Sequence, residues 1–277
     1  METAIEGKAF APSSGEAPLL SIEDLQVSFY TYAGEVHAVR GVSYSVKKGS
    51  SLAVVGESGC GKTVTVQSVM RLIPTPPGRI KGGRIIFKGK DILALSEKEM
   101  QSVRGKEIGM IFQDPMTGLN PTMNVGSQIV EAIVKHQRVD KATAWEKAVK
   151  MLEMVEIPNP KVRALQYPHQ YSGGMRQRAM IAMALACEPD LLIADEPTTS
   201  LDVTIQSQIL DLLLELQERL GMTIIIITHN LGVVARLANE IVVMYAGKVV
   251  EQGTSSQIFY RPLHPYTHAL LRSVPRL

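Results

Sequence analysis

The residues best placed to do chemistry begin at Gly56-Glu57-Ser58-Gly59-Cys60-Gly61-Lys62-Thr63, the pattern GxxxxGK[ST] directly after the apolar run 52–55. Glycines there let successive backbone N–H groups turn into one concavity, where a chain of phosphates can replace water as acceptor. Lys62 is expected to reach the β and γ phosphates and Thr63 to place its hydroxyl on Mg²⁺. Residues 64–72 are expected to form the helix whose positive end faces the anion. A second group, Asp195-Glu196, follows the apolar run 191–194, so two carboxylates stand where a buried strand ends and ligands of open α/β sheets bind. Asp195 is expected to hold Mg²⁺, and Glu196 to polarise the water that attacks a γ phosphate. Together these residues predict a nucleoside-triphosphate site.

The rest of the chain must position them. Its 277 residues can bury one large core, or a core with a subdomain, but hardly two independent nucleotide units. The net charge is +2 with both signs interspersed, so no nucleic-acid partner is expected. No apolar run is long enough to span a bilayer, and the start of the chain, with Glu2 and Glu6, does not read as a secretory signal. Of the two cysteines, Cys187 reads as a small core residue and Cys60 as a loop residue of modest consequence; neither a metal cage nor a disulfide framework is expected. The thirteen methionines fall mostly among apolar neighbours, where they read as core filler.

Alternating runs at 25–29, 42–46 and 83–89 predict half-exposed strands of a small antiparallel sheet. Fully apolar runs at 52–55, 191–194, 224–227 and 241–243 predict strands covered on both faces, hence a parallel sheet. The apolar stretch 203–220, closed by Gly221, supplies a crossover helix. Residues 125–154 read as helix, and Pro158, Pro160 and Pro168 punctuate the stretch beyond them, so an inserted helical subdomain is expected over about 114–177. Residues 1–18 lack apolar periodicity and read as a flexible tail before a single unit over 19–277.

Ser172-Gly173-Gly174, just before a helix expected to begin near Met175, offers a second anion site without a second glycine-rich phosphate loop. In its setting, 171–178, it resembles the signature segment of ATP-binding cassette proteins, and the resemblance covers roughly residues 19–252. It implies an α/β fold of the P-loop NTPase (RecA-like) kind and ATP hydrolysis with Mg²⁺. It also implies head-to-tail pairing of two chains, each ATP lying between residues Gly56, Glu57, Ser58, Gly59, Cys60, Gly61, Lys62 and Thr63 of one and Ser172, Gly173 and Gly174 of the other. By the same resemblance, Gln113 contacts Mg²⁺ or the attacking water and hinges the helical subdomain. Ser200 and Asp202 belong to the segment that crosses the dimer, and His229 bonds the γ phosphate and steadies Glu196. An aromatic ring upstream stacks on adenine; Phe29, Tyr30 and Tyr32 lie in the right neighbourhood, with Tyr32 favoured.

Three longer segments, 112–121, 167–175 and 261–267, look like those of the ATPase subunits of bacterial dipeptide and oligopeptide importers. That likeness implies a peripheral subunit on the cytoplasmic face of the cell membrane, working beneath two transmembrane permease subunits. Its ATPase partner would be a second, homologous subunit or another copy of itself, and an extracytoplasmic solute-binding protein would deliver the solute. The subunit itself does not touch the solute, and close relatives move nickel or oligosaccharides. Many relatives carry a cysteine-rich tail that can hold an iron–sulfur cluster; no cysteine follows Cys187 here, and no cluster is expected. Soluble cassette ATPases acting on DNA or ribosomes usually add coiled coils, zinc fingers or a second cassette, none of which is visible in the sequence.

Overall fold

The computed structural model describes residues 17–199 and 201–273. The expectations for Ser200 and for most of the N-terminal tail therefore lie outside the described residues. Within them, ten strands run in chain order: β1 (Leu20–Thr31), β2 (Gly34–Val46), β3 (Ser51–Val55), β4 (Gly78–Phe87), β5 (Lys90–Asp91), β6 (Ile108–Ile111), β7 (Leu191–Asp195), β8 (Thr223–Thr228), β9 (Glu240–Tyr245) and β10 (Lys248–Thr254). The helices are α1 (Lys62–Val69), α2 (Glu97–Val103), α3 (Pro115–Gly118), α4 (Val125–Gln137), α5 (Lys141–Met154), α6 (Pro160–Arg163), α7 (Gly173–Leu185), α8 (Val203–Leu220), α9 (Leu231–Leu237), α10 (Ser255–Tyr260) and α11 (Pro265–Arg272).

Strands β2-β1-β4-β5 form the antiparallel sheet, and β10-β9-β3-β8-β7-β6 the larger one. In the larger sheet every pairing from β9 to β6 is parallel, and only β10 runs antiparallel at its edge. The alternation along β1 is the cause of its placement: Leu20, Ile22, Leu25 and Val27 point into the core. The strands β3, β7 and β8 are buried along their whole length, as continuous Val/Ile/Leu runs require of a sheet covered on both faces. Successive residues take opposite faces. Leu191, Ile193, Ile225 and Ile227 join β1, β2 and α1 in one core, whereas Leu192, Ala194, Ile224 and Ile226 join α7 and α8 in the other.

Several elements depart from what periodicity suggests. The helix expected over 125–154 is two helices: Arg138 at φ 52° turns left-handed and ends α4. Asp140 then restarts the chain by capping α5, accepting the Thr143 N–H at 2.7 Å. Helix α1 spans Lys62–Val69 rather than 64–72, and α7 starts at Gly173 rather than near Met175. Strand β6 has no counterpart in the sequence pattern, because four residues including Gly109 give too short a signal; the close Ala184 carbonyl, 2.5 Å from where a Cβ would stand, explains the glycine. Cys60 stands in the loop as expected but is buried in the core, and Cys187, expected in the core, is only half-buried, its thiol facing the Ala132 carbonyl at 3.7 Å.

Replacing Ile225, fully buried on a central strand, with Ala leaves a cavity that two packed layers cannot close. Urea denaturation of Ile225→Ala should show a loss of about 2–5 kcal/mol relative to the wild type.

Candidate active site

The site grows from the carboxyl edge of the parallel sheet. Val55 pairs with Thr228, Ile227 with Asp195, and Ala194 with Ile111, so the segments that follow β3, β8, β7 and β6 leave the sheet side by side. From those ends come the glycine-rich loop, His229, Glu196 and Gln113 respectively.

The loop from Gly56 to Thr63 makes turns that only glycine takes without strain. Gly56 has φ 150° and its Cβ position lies 2.2 Å from the Met244 carbonyl; Gly61 has φ 101° and would meet the Ala38 carbonyl at 2.5 Å. The loop is thus wedged between the end of β9 and the middle of β2. Lys62 is buried, and its Nζ donates to the carbonyls of Gly56 (2.8 Å) and Glu57 (2.9 Å), folding the ammonium group back over the loop. Thr63 Oγ1 donates to Asp195 Oδ1 at 3.0 Å, joining the first turn of α1 to the end of β7. A hydroxyl and a carboxylate so placed fit Mg²⁺, which takes a few hard oxygen donors from protein and the remainder from phosphate and water.

Burial pushes the Asp195 carboxyl from 3.8 up to about 6, against the pull of the Thr63 hydrogen bond; the Glu196 charge adds to the rise and Lys62 opposes it. The next residue, Glu196, has φ 46°, a left-handed conformation costly for a residue with a Cβ and commonest where function requires it. Its N–H donates to the Ile227 carbonyl at 2.9 Å, which holds the turn. The side chain is fixed by three others. Gln113 Nε2 donates to Oε2 at 3.1 Å, Thr199 Oγ1 donates to the same oxygen at 2.8 Å, and His229 Nδ1 lies 3.3 Å from Oε1. Gln113, Glu196 and His229, far apart in sequence, therefore meet at one point. Thr199 is a support that the sequence reading lacks, although its position three residues after Glu196 in a Pro-Thr-Thr turn is a local signal.

Ser172 caps α7, its Oγ accepting the Met175 N–H at 3.3 Å, and Ser172 and Gly173 are exposed. Helix α7 packs on β6, three strands from β3, or about 14 Å at the usual strand spacing. The structure does not bring the Ser-Gly-Gly segment to this chain's own glycine-rich loop. Asp202 caps α8 through the Ile205 N–H at 2.9 Å. Tyr32 lies in the β1–β2 turn, fully open, while Tyr30 is engaged by Lys81 at 3.0 Å and Phe29 packs against the core.

The family model described as "ABC transporter" matches residues 39–199, more than half of the chain. The chain belongs to the ABC transporter family. A second model, "Oligopeptide/dipeptide transporter, C-terminal region", matches residues 250–277. The cassette is 61% identical over 259 residues to the oligopeptide transport ATP-binding protein OppD of Bacillus subtilis, covering 94% of this chain and 72% of that protein. It is 58% identical to the dipeptide transport ATP-binding protein DppD of the same organism, covering 94% and 77%. Among solved structures it is similar to the dimeric bacterial ABC transporter cassette MJ0796, with a TM-score of 0.76 at 25% identity, covering 85% of this chain and 98% of that one. The cassette is an ATPase with a nucleotide-binding fold of this family. Among the described residues no helix is long and apolar enough to cross a membrane.

A carboxyl raised to about 6 in the folded cassette binds protons that the unfolded chain has already released above its ordinary 3.8. Stability from this group is therefore lost as pH rises from about 4 to about 6 and stays lost above it. With magnesium chelated, Asp195→Asn should be more stable than the wild type by about 3 kcal/mol at pH 7.5, and most of the gain should be gone by about pH 4; paired urea titrations at the two pH values read it.

Proposed function

We propose that this cassette hydrolyses ATP at the carboxyl edge of its sheet to power import of di- or oligopeptides through a membrane permease. The single observation that carries the chemistry is the Glu196 carboxylate, held by Gln113, Thr199 and His229 beside the glycine-rich loop. A carboxylate fixed on both oxygens can accept the proton of an attacking water without first reorganising.

In this reading Gly56, Glu57, Ser58, Gly59, Cys60, Gly61, Lys62 and Thr63 cradle the phosphates, with Lys62 swinging from its carbonyl partners to the β and γ oxygens. Thr63, Asp195 and Gln113 would hold Mg²⁺, which neutralises charge on the phosphates. His229 reaches the γ phosphate and keeps Glu196 aimed, and Tyr32, open on its turn, stacks on adenine. The distance of Ser172, Gly173 and Gly174 from this chain's loop supports a site completed by a second cassette, with Ser200 and Asp202 at the crossing between the two. Closing that pair around ATP and reopening it after hydrolysis would move two permease subunits, docked from the membrane onto the cytoplasmic face near Gln113 and the helical block. The second cassette is a homologous ATPase subunit or another copy of this chain, and an extracytoplasmic solute-binding protein supplies the peptide. Peptide as cargo is supported by the likeness to OppD and DppD, an oligopeptide and a dipeptide transport ATP-binding protein, and by the C-terminal match.

Glu196→Gln keeps the shape but cannot act as base, so ATPase turnover should fall by about 10²-fold or more while ATP binding persists. Wild-type turnover in that variant would contradict the role. Lys62→Ala should instead weaken binding itself. The rise in melting temperature produced by Mg-ATP, worth about 2.7 kcal/mol at about 100 times Kd, should shrink in that variant, and an unchanged rise would contradict the role.

A further inference from the structure

The C-terminal region reaches the glycine-rich loop directly. Tyr266, in the first turn of α11, accepts the Glu57 N–H on its hydroxyl at 2.9 Å, across 209 residues of sequence. That N–H belongs to the Gly56–Glu57 peptide, whose carbonyl oxygen accepts Lys62 Nζ at 2.8 Å. One peptide plane is therefore gripped at both ends, by Lys62 on its oxygen and by Tyr266 on its nitrogen. Once Lys62 turns to phosphate, it gives up that carbonyl. Gly56, with no Cβ and φ 150°, resists rotation of the plane less than other residues, so orientation then depends on the Tyr266 hydroxyl.

Tyr266 is itself well anchored. Glu251 of β10 accepts the N–H groups of Leu263 (2.7 Å) and His264 (3.0 Å), and His264 Nδ1 accepts the Tyr266 N–H at 3.1 Å. The ring packs on Tyr245 at a centroid distance of 4.6 Å, at the end of β9. Just beyond, the Gly247 N–H donates to the Cys60 carbonyl at 3.0 Å, so the β9–β10 turn holds the far limb of the same loop.

We propose that Tyr266 is a positioning residue of the phosphate loop: its hydroxyl fixes the Gly56–Glu57 peptide while Lys62 transfers to phosphate, which ties ATP affinity to the C-terminal region. The proposal rests on the assignment of ATP to this loop. By reciprocity, whatever displaces α11 must weaken ATP binding, and ATP must steady α11.

Tyr266→Phe keeps the ring against Tyr245 and removes only the hydroxyl, and Glu251→Gln loosens the start of α11 without touching the loop. Hydrogen exchange in the nucleotide-free full chain should be faster over residues 56–61 in both variants, with melting temperatures near the wild type. Half-saturation by Mg-ATP should rise about three- to tenfold in Tyr266→Phe, the range of one lost hydrogen bond. A purely structural role would lower melting temperature without singling out the loop, and that result, or wild-type exchange and half-saturation in both variants, would overturn the proposal. Failure of the wild-type chain to bind Mg-ATP would instead remove the assignment of ATP to the loop.

Discussion

Parallel pairing in register among β3, β8, β7 and β6 decides where every reactive group can stand. Parallel strands all end on the same side, so four separate segments of chain emerge along one edge and their side chains converge there. A shift of one residue in β7 against β8 would turn Asp195 to the opposite face and separate its carboxylate from the Thr63 hydroxyl. The continuous apolar composition of these strands is therefore more than packing. It fixes a sheet buried on both faces, and that burial in turn raises the proton affinity of Asp195.

Precision in the site comes from the supports as much as from the reactive groups. Glu196 adopts an unfavourable backbone conformation, yet its N–H and both carboxylate oxygens are tied to two neighbouring strand ends, those of β8 and β6, and to a local turn. Glycine at 56 and 61 lets the loop lie against backbone carbonyls of β9 and β2, where any side chain would collide. The antiparallel sheet and the C-terminal helices thus act as walls for the loop. The Ser-Gly-Gly cap of α7 lies on the far side of the sheet, by β6, three strands away from the strand that carries the glycine-rich loop.

Much of this is legible in the sequence because the decisive signals are local. The glycine-rich loop, the Asp195-Glu196 pair and the apolar strands each declare themselves within a few residues, and Gln113 and His229 follow from resemblance. What escapes is of three physical kinds. Strand β6 is four residues long with a glycine inside, so its identity depends on the neighbour β7 rather than on its own pattern. The break at Arg138 needs a left-handed residue that composition does not mark. The Tyr266 contact with Glu57 joins residues 209 apart and exists only once α11 is folded against β9 and β10.

Reconstitution decides whether hydrolysis at this edge drives peptide inward. The cassette would be assembled with its two permease subunits and ATPase partner in liposomes, with the solute-binding protein and a labelled peptide on the opposite side. ATP consumed and peptide accumulated would be measured together. If hydrolysis at this edge drives import, loaded binding protein should raise hydrolysis and peptide should accumulate only with ATP. Sustained hydrolysis with no peptide accumulation would contradict it.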